Sequence, residues 1–377
     1  MTERRLDYID NIRILLTGIV VLHHLAITYG APGGWYYSEF EVTELDLIPM
    51  ITLVLFAASN QAYFMGFFFL LGGFFSAKSL TERGPKSFLI QRILRLGIPI
   101  FLFVYLISPI LRLSLRRIIY NSAINLESIQ STYKQLDFAY ELGPMWFVVL
   151  LLIFSLLLPF LVKYIQNYST ALKTPGRQLV LLIAFLIGFM TFLIRIPFPI
   201  GTVFQPLNLQ TPYLIQYIFL FFFGVVVYFT GWDKEIPAIS LKFWLPLNLV
   251  MVGLMPILFF LSGGASGDVT PALGGFQWQS LALSIWEQVF CVCTITSLLV
   301  VFYRFFNQST NLTRELAASS YAAYILHPLV LVILASALQN YRHSPLLKIT
   351  ITAVPALALC FLTASFFRRL PGLRSIL

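Results

Sequence analysis

The chain has 377 residues, of which 58% are hydrophobic and only 11% charged, and its net charge is +9. Soluble domains carry about 25% charged residues, so this composition excludes a soluble protein and indicates one polytopic membrane domain over 1–377. No basic run is interleaved with aromatic residues. The positive charge therefore argues for a positive-inside bias and against nucleic-acid binding.

Apolar stretches of membrane-spanning length predict an all-α bundle of about ten transmembrane helices. They fall at 12–29, 50–76, 88–111, 144–162, 178–195, 212–230, 242–262, 280–303, 317–338 and 347–367. When both termini are placed in the cytoplasm, most Lys and Arg residues near the ends of these stretches lie on the inner side. We therefore expect both termini to be cytoplasmic.

The first apolar stretch contains a cation and an imidazole, and Asp10 lies just before it. Arg13 and His24 are eleven residues apart, about three helical turns, so they share one face roughly 16 Å apart along the axis. A charged group at bilayer depth costs about 2.5–3.5 kcal/mol, which makes both residues candidates for a functional site. Two plainer interpretations are that Arg13 only pairs with Asp10 and that His24 only bonds a neighbouring helix.

His23 points about 100° away from His24, so we expect at most one of the two to face a cavity well. We favour His24, because it shares a helix face with Arg13. Its predicted depth is near the middle of the membrane.

The ninth stretch carries a polar stripe, because Ser320, Tyr324 and His327 are spaced at i, i+4 and i+7. His327 is predicted to lie at the depth of His24 and to line the same cavity. Glu287, in the eighth stretch, is predicted to lie at a similar depth, and its alternative role is to pair with a cation or a His. Converging polar groups inside a bundle suggest a water-accessible cavity.

Arg92 and Arg95 begin the third stretch one turn apart, and they can point the same way. Paired guanidinium groups suit phosphate oxygens, so these residues are candidates for an anion site at the cytoplasmic side. They could equally be positive-inside anchors. The three cysteines fit no zinc or disulfide spacing and no HExxH motif is present, so we predict no metal site.

Five motifs, taken in order, resemble the integral-membrane acyltransferase 3 family over most of the chain. They are Asp10-x-x-Arg13 with His24, the segment 67–76, Arg92-x-x-Arg95, the segment Gly143-Pro144-Met145-Trp146-Phe147, and Ser320-x-x-x-Tyr324 followed by His327-Pro328. Leu71 stands where the family segment usually has Ser, so that position is assigned no catalytic role. The third and fourth motifs most resemble the branch that succinylates periplasmic glucans.

The resemblance implies a protein of the bacterial inner membrane that moves an acyl group from a cytoplasmic acyl-CoA to a carbohydrate hydroxyl at the outer face. The acyl donor would be acetyl-CoA or succinyl-CoA. A neutral His in hydrogen-bond reach can serve as general base for a sugar hydroxyl. The predicted roles are catalysis for His24, Arg13 and His327, donor phosphate binding for Arg92 and Arg95, and substrate binding for Asp10, Tyr324, Glu287 and Trp146.

A second hypothesis is a proton-coupled secondary transporter, or a flippase of an anionic or sugar substrate. Histidine and glutamate at bilayer depth suit proton-coupled transport as well. The chain shows no internal repeat of the kind that many transporters have, which favours the enzyme.

Overall fold

The computed structural model describes residues 6–169, 171–264, 267–341 and 343–376. Within these ranges ten helices are long and apolar enough to cross a membrane, which confirms the predicted all-α bundle. We label them α1 to α10 in chain order. They are Asp7–Thr28, Leu47–Arg83, Pro85–Ile119, Gly143–Ser169, Arg177–Arg195, Thr211–Thr230, Leu241–Gly264, Trp278–Phe305, Asn311–Ala337 and Pro345–Arg369.

Several helices extend beyond the apolar stretches that predicted them. The first begins at Asp7 and the second runs for 37 residues to Arg83, because polar turns continue both helices past their apolar parts. The second helix ends where Gly84 takes a φ of 74°, a left-handed conformation that glycine adopts at little cost. Pro85 then starts α3 at once, in the position of a helix where proline is best tolerated.

The third helix is irregular. It contains two π-helical turns, Ile93–Gly97 and Phe103–Ile107, and a proline follows each within two residues. A proline has no N–H to donate and its ring crowds the preceding turn, so the backbone widens there. Arg95 lies in the first of these wide turns.

Two contacts between a helix end and a distant connection show that successive helices run in opposite directions through the bundle. The side chain of Asn11, near the start of α1, donates to the carbonyl of Phe306 at 2.7 Å, in the connection between α8 and α9. At the other end of the bundle, Lys348 in α10 forms an ion pair with Glu39, in the connection between α1 and α2. We call the face where α1 begins the terminus face and the opposite one the distal face. Which of them meets the cytoplasm stays a prediction.

The segment 67–76, which the family resemblance singled out, is a site of close helix packing. A Cβ at Gly73 of α2 would lie 1.8 Å from the carbonyl oxygen of Phe221 in α6, and one at Gly224 would lie 2.1 Å from that of Leu70. The two backbones touch because both positions are glycine, the usual means by which membrane helices approach closely. This contact sets the position of α2, which forms one wall of the site described next.

The connections on the distal face are partly ordered by short elements. Between α5 and α6 the chain forms a short hairpin. Its two strands, β1 (Val203–Phe204) and β2 (Leu209–Gln210), have two residues each and are antiparallel. Short helices span Leu126–Lys134, Phe138–Glu141 and Thr270–Leu273. These segments fold over the ends of the helices and cover part of the bundle.

Candidate functional site

A cavity of about 1110 Å³ lies in the distal half of the bundle. Its walls come from α1, α2, α4, α6, α7, α8 and α9 and from three connections. Those connections contribute residues within 32–43, 200–210 and 267–273. All three lie on the distal face, so the cavity belongs to that face.

The structure brings His24 and His327 into contact. Nε2 of His327 lies 3.1 Å from Nδ1 of His24, and the two ring centroids are 4.8 Å apart. His24 lines the cavity, whereas His327 is fully buried behind it and is not among the described residues that line the cavity. The two imidazoles therefore form a dyad in which only His24 meets the cavity.

Backbone carbonyls determine where the protons of this dyad lie. Nδ1 of His327 faces the carbonyl oxygen of Tyr324, which can only accept, so this nitrogen carries the proton. Nε2 of a neutral His327 then has a lone pair and accepts from Nδ1–H of His24, which also lies 3.0 Å from the carbonyl of Val20. The remaining nitrogen of His24, Nε2, then carries a lone pair and has no hydrogen-bond partner among the described residues.

Trp35 covers the dyad. Its ring stacks on His24 with centroids 4.0 Å apart and is nearly parallel to His327, at 5.6 Å and 15°. Trp35 and Tyr36 come from the connection between α1 and α2, and both line the cavity. Motif reasoning missed them because they lie outside the helices; the aromatic run 35–37 within a long connection was the available signal.

His24 lies near the distal end of α1. It is 17 residues, or about 26 Å, from the start of α1 and only four residues from its end at Thr28. The depth of His24 in the membrane stays a prediction. The expectation that at most one of the paired histidines faces a cavity is wrong: His23 lines it too, packed edge-on against His24.

Tyr324 and Trp146, both predicted to bind substrate, also line the cavity. The hydroxyl of Tyr324 donates to the carbonyl of Pro144, which ties α9 to the start of α4. Trp146 stacks on Tyr217 of α6, with ring centroids 5.5 Å apart. Their role in substrate binding stays a prediction.

Glu287 lines the cavity and is held by a buried cation. Its carboxylate lies 2.6 Å from the guanidinium of Arg195, whose side chain is fully buried. Arg195 also donates to the hydroxyl of Ser284 at 3.2 Å and lies over the ring of Tyr213 at 5.0 Å. The sequence analysis left open that Glu287 pairs with a cation. The structure shows that pairing, and the cation is Arg195 at the end of α5.

No lysine or arginine is among the described residues that line this cavity. Its polar side chains instead include the neutral amides Gln61, Asn208 and Gln210, several hydroxyl groups, the paired Glu287 and the histidines. A phosphate group would find no cation here. The cavity suits an uncharged, hydroxyl-bearing occupant.

The structure places Asp10 and Arg13 away from the dyad. They form an ion pair with each other at 3.2 Å, one turn apart at the terminus-face end of α1. Neither is among the described residues that line the cavity, and about 16 Å of helix separates Arg13 from His24. The shared helix face that the sequence predicts does not bring these residues to one site.

A second cavity, of about 910 Å³, lies at the terminus face, and we call it the basic groove. Its cationic lining residues are Arg83, Lys86, Arg95 and Arg374, and its apolar ones include Ile90, Leu94, Ile98 and Ile376. Arg92 does not join them: it contacts the carbonyl of Phe75 at 3.5 Å and lies over the ring of Phe88.

The predicted Arg92–Arg95 pair is thus divided between a helix contact and the groove. The π-helical turn that begins at Ile93 changes the angle between the two side chains, and the one-turn spacing cannot anticipate that change. In the described part of the chain, no three His, Cys, Asp or Glu side chains form a group able to hold a metal ion.

Comparison with known families agrees with this architecture. The chain matches the acyltransferase 3 family, described as an acyltransferase domain, over residues 6–365. No curated protein and no solved structure matches it. Because the match covers nearly the whole chain and all ten membrane helices, this protein belongs to the acyltransferase 3 family of integral membrane acyltransferases.

Proposed function

We propose that the protein transfers an acyl group from acyl-CoA to a carbohydrate hydroxyl bound in the distal cavity, with His24 as the general base. The observation that carries this proposal is the orientation of His24. Its Nδ1 is engaged by Val20 and His327, its ring borders the cavity, and its other nitrogen is free to accept a proton.

The chemical step follows from this arrangement. Nε2 of His24 takes the proton of the acceptor hydroxyl while the hydroxyl oxygen attacks the thioester carbonyl carbon. The C–S bond breaks, and the proton passes from His24 to the departing thiolate to give free CoA. During the step the imidazolium is stabilised through Nδ1–H, which donates to two acceptors.

The composition of the cavity wall favours particular substrates. Aromatic rings and neutral amides suit the faces and hydroxyls of a sugar. A succinyl group would bring a free carboxylate into a cavity whose described lining has no Lys or Arg. We therefore propose an uncharged acyl group, such as acetyl, in preference to succinyl.

The basic groove suits the donor phosphates better than the distal cavity does, because its lining combines four cations with aliphatic side chains. The groove and the distal cavity have no lining residue in common. We propose that the acyl-bearing arm reaches His24 by passing between the helices that lie between the groove and the cavity. The third helix, with its two π-helical turns, lies next to the groove and is the element that we expect to move.

The direct test is turnover by the purified protein in lipid nanodiscs, with acetyl-CoA as donor and methyl β-glucoside as acceptor. We expect release of free CoA thiol in proportion to acetyl glucoside formed. Transport of acetyl-CoA or the sugar across a vesicle membrane without thioester cleavage would instead identify a transporter. In sealed vesicles, acetylation when both substrates are on the same side of the membrane would contradict the separate donor and acceptor faces.

Replacing Arg83 and Arg95 together with Ala is expected to raise the KM for acetyl-CoA. Hydrogen bonds to charged groups contribute about 1.5–3 kcal/mol each, so each lost contact should weaken donor binding by about ten-fold or more. Arg177→Ala is the matched control, because Arg177 starts α5 on the same face and is not among the described residues of the groove. An unchanged KM in the double variant would leave these residues as topology anchors only.

Replacing His327 with Leu is expected to lower kcat about ten- to hundred-fold, since an interaction worth about 1.5–3 kcal/mol with charged His24 is lost. The KM for the acceptor should not change, because His327 acts on His24 and not on the substrate. His327→Gln should recover much of the rate, because its carbonyl oxygen can accept from Nδ1–H of His24. Equal loss in the Leu and Gln variants would exclude this positioning role.

A further inference from the structure

The distal cavity has an apolar end as well as a polar one. Between α2 and α7 the cavity is lined by apolar side chains from one face of each helix, and we call this part the slot. The slot residues are Met50, Val54, Ala57 and Ala58 of α2 and Met255, Leu258 and Phe259 of α7. Their spacings of three and four residues put each set along one side of its helix.

The slot lies next to the surrounding lipid. Of the ten helices described, α7 is the least buried within the bundle. Leu254, Ile257 and Leu261 are the neighbours of the slot residues on α7, and all three are exposed hydrophobic side chains. In a membrane these side chains contact acyl chains, so the slot is separated from the bilayer by the width of one peripheral helix.

Room in the slot is maintained by small residues and by the end of α7. Ala57 and Ala58 present only methyl groups from α2. Near the end of α7, Gly263 takes a φ of 103°. The ring of Phe259 packs against Gly264, where an added Cβ would lie 2.4 Å from a ring carbon. The ring is thus held toward the distal face.

The polar and apolar ends belong to one continuous space. Gln61 lies eleven residues, or about 16 Å, beyond Met50 on the same face of α2, and it lines the cavity together with His24 and Glu287. A free sugar would use only the polar end. An apolar end of this kind stabilises a ligand only if the ligand carries a chain that leaves water on binding.

We propose that the acceptor is an uncharged membrane glycolipid, with its sugar beside His24 and its alkyl chain in the slot between α2 and α7. This inference rests on the proposed acyl transfer and specifies its acceptor. A chain in the slot would hold the sugar at the depth of the dyad. It would also let the acceptor enter from the bilayer, past α7.

The first test compares methyl and octyl β-glucosides as acceptors in nanodiscs, with the octyl compound below its critical micelle concentration. We expect kcat/KM for the octyl compound to be at least about ten-fold higher, because the buried methylenes add affinity. Leu258→Trp, which fills the slot, should remove this advantage, so that the ratio of kcat/KM for octyl glucoside to that for methyl glucoside falls toward one. Ile257→Trp places the same bulk on the lipid-facing side and should have no effect.

A second test does not depend on turnover. Octyl β-glucoside with a diazirine at the chain end should label residues within 50–58 or 255–259, and excess octyl glucoside should compete with the labelling. Saturable slot labelling without any acyl transfer would refute the proposed enzyme and leave glycolipid binding intact. Equal kcat/KM for methyl and octyl glucoside, or labelling confined to the lipid-facing side of α7, would refute the glycolipid acceptor and leave acyl transfer intact.

Discussion

Replacing His24 with Ala is expected to lower kcat for acyl transfer by about 10²–10⁴-fold, the usual contribution of a positioned general base. The reason is that Nε2 of His24 is the free imidazole nitrogen of the dyad, and it borders the cavity. The measurement is the rate of CoA thiol release with purified protein in nanodiscs. Near-wild-type turnover by a folded His24→Ala variant would remove His24 from the mechanism.

His23→Ala is the matched control for this prediction. His23 also lines the cavity, but its ring packs on Phe64 and Nδ1 has no hydrogen-bond partner among the described residues. It therefore lacks the second group that would orient it as a base, and we expect a milder loss of rate. A larger effect at His23 than at His24 would exchange the two assignments.

Replacing Glu287 with Ala is expected to lower the free energy of unfolding by about 3–5 kcal/mol, because it leaves the buried charge of Arg195 unpaired. The carboxylate is the ion-pair partner of that guanidinium, at 2.6 Å. Unfolding by denaturant in mixed micelles measures the loss. A change below about 1 kcal/mol would mean that water or another group compensates the guanidinium.

The paired variant Arg195→Met with Glu287→Leu separates stability from substrate binding. Removing both charges leaves no unpaired ion, so stability should return to near the wild-type value. If Glu287 also binds acceptor hydroxyls, this stable variant will still show a raised KM for the acceptor. A normal KM would limit Glu287 to holding Arg195.

The sequence alone determined the class of fold and the family, because both depend on local information. Membrane-spanning length is a property of each apolar stretch, so ten spans could be counted without knowing how they pack. The ordered motifs likewise indicated the family that the whole-chain match confirms. The helix ends were less predictable, because polar turns such as the one that carries Asp7 and Asp10 continue a helix beyond its apolar part.

Only the tertiary structure decided which polar groups share a site. Helical spacing relates residues on one helix, and it led to the expectation that Arg13 acts with His24; the packing separates them. The contact between His24 and His327 joins residues 303 positions apart, and Trp35 reaches both from a connection without helical periodicity. The ion pair of Arg195 and Glu287 arises in the same way, and so does a cavity whose described lining has no Lys or Arg. Both depend on side chains from separate helices that meet only when the bundle packs.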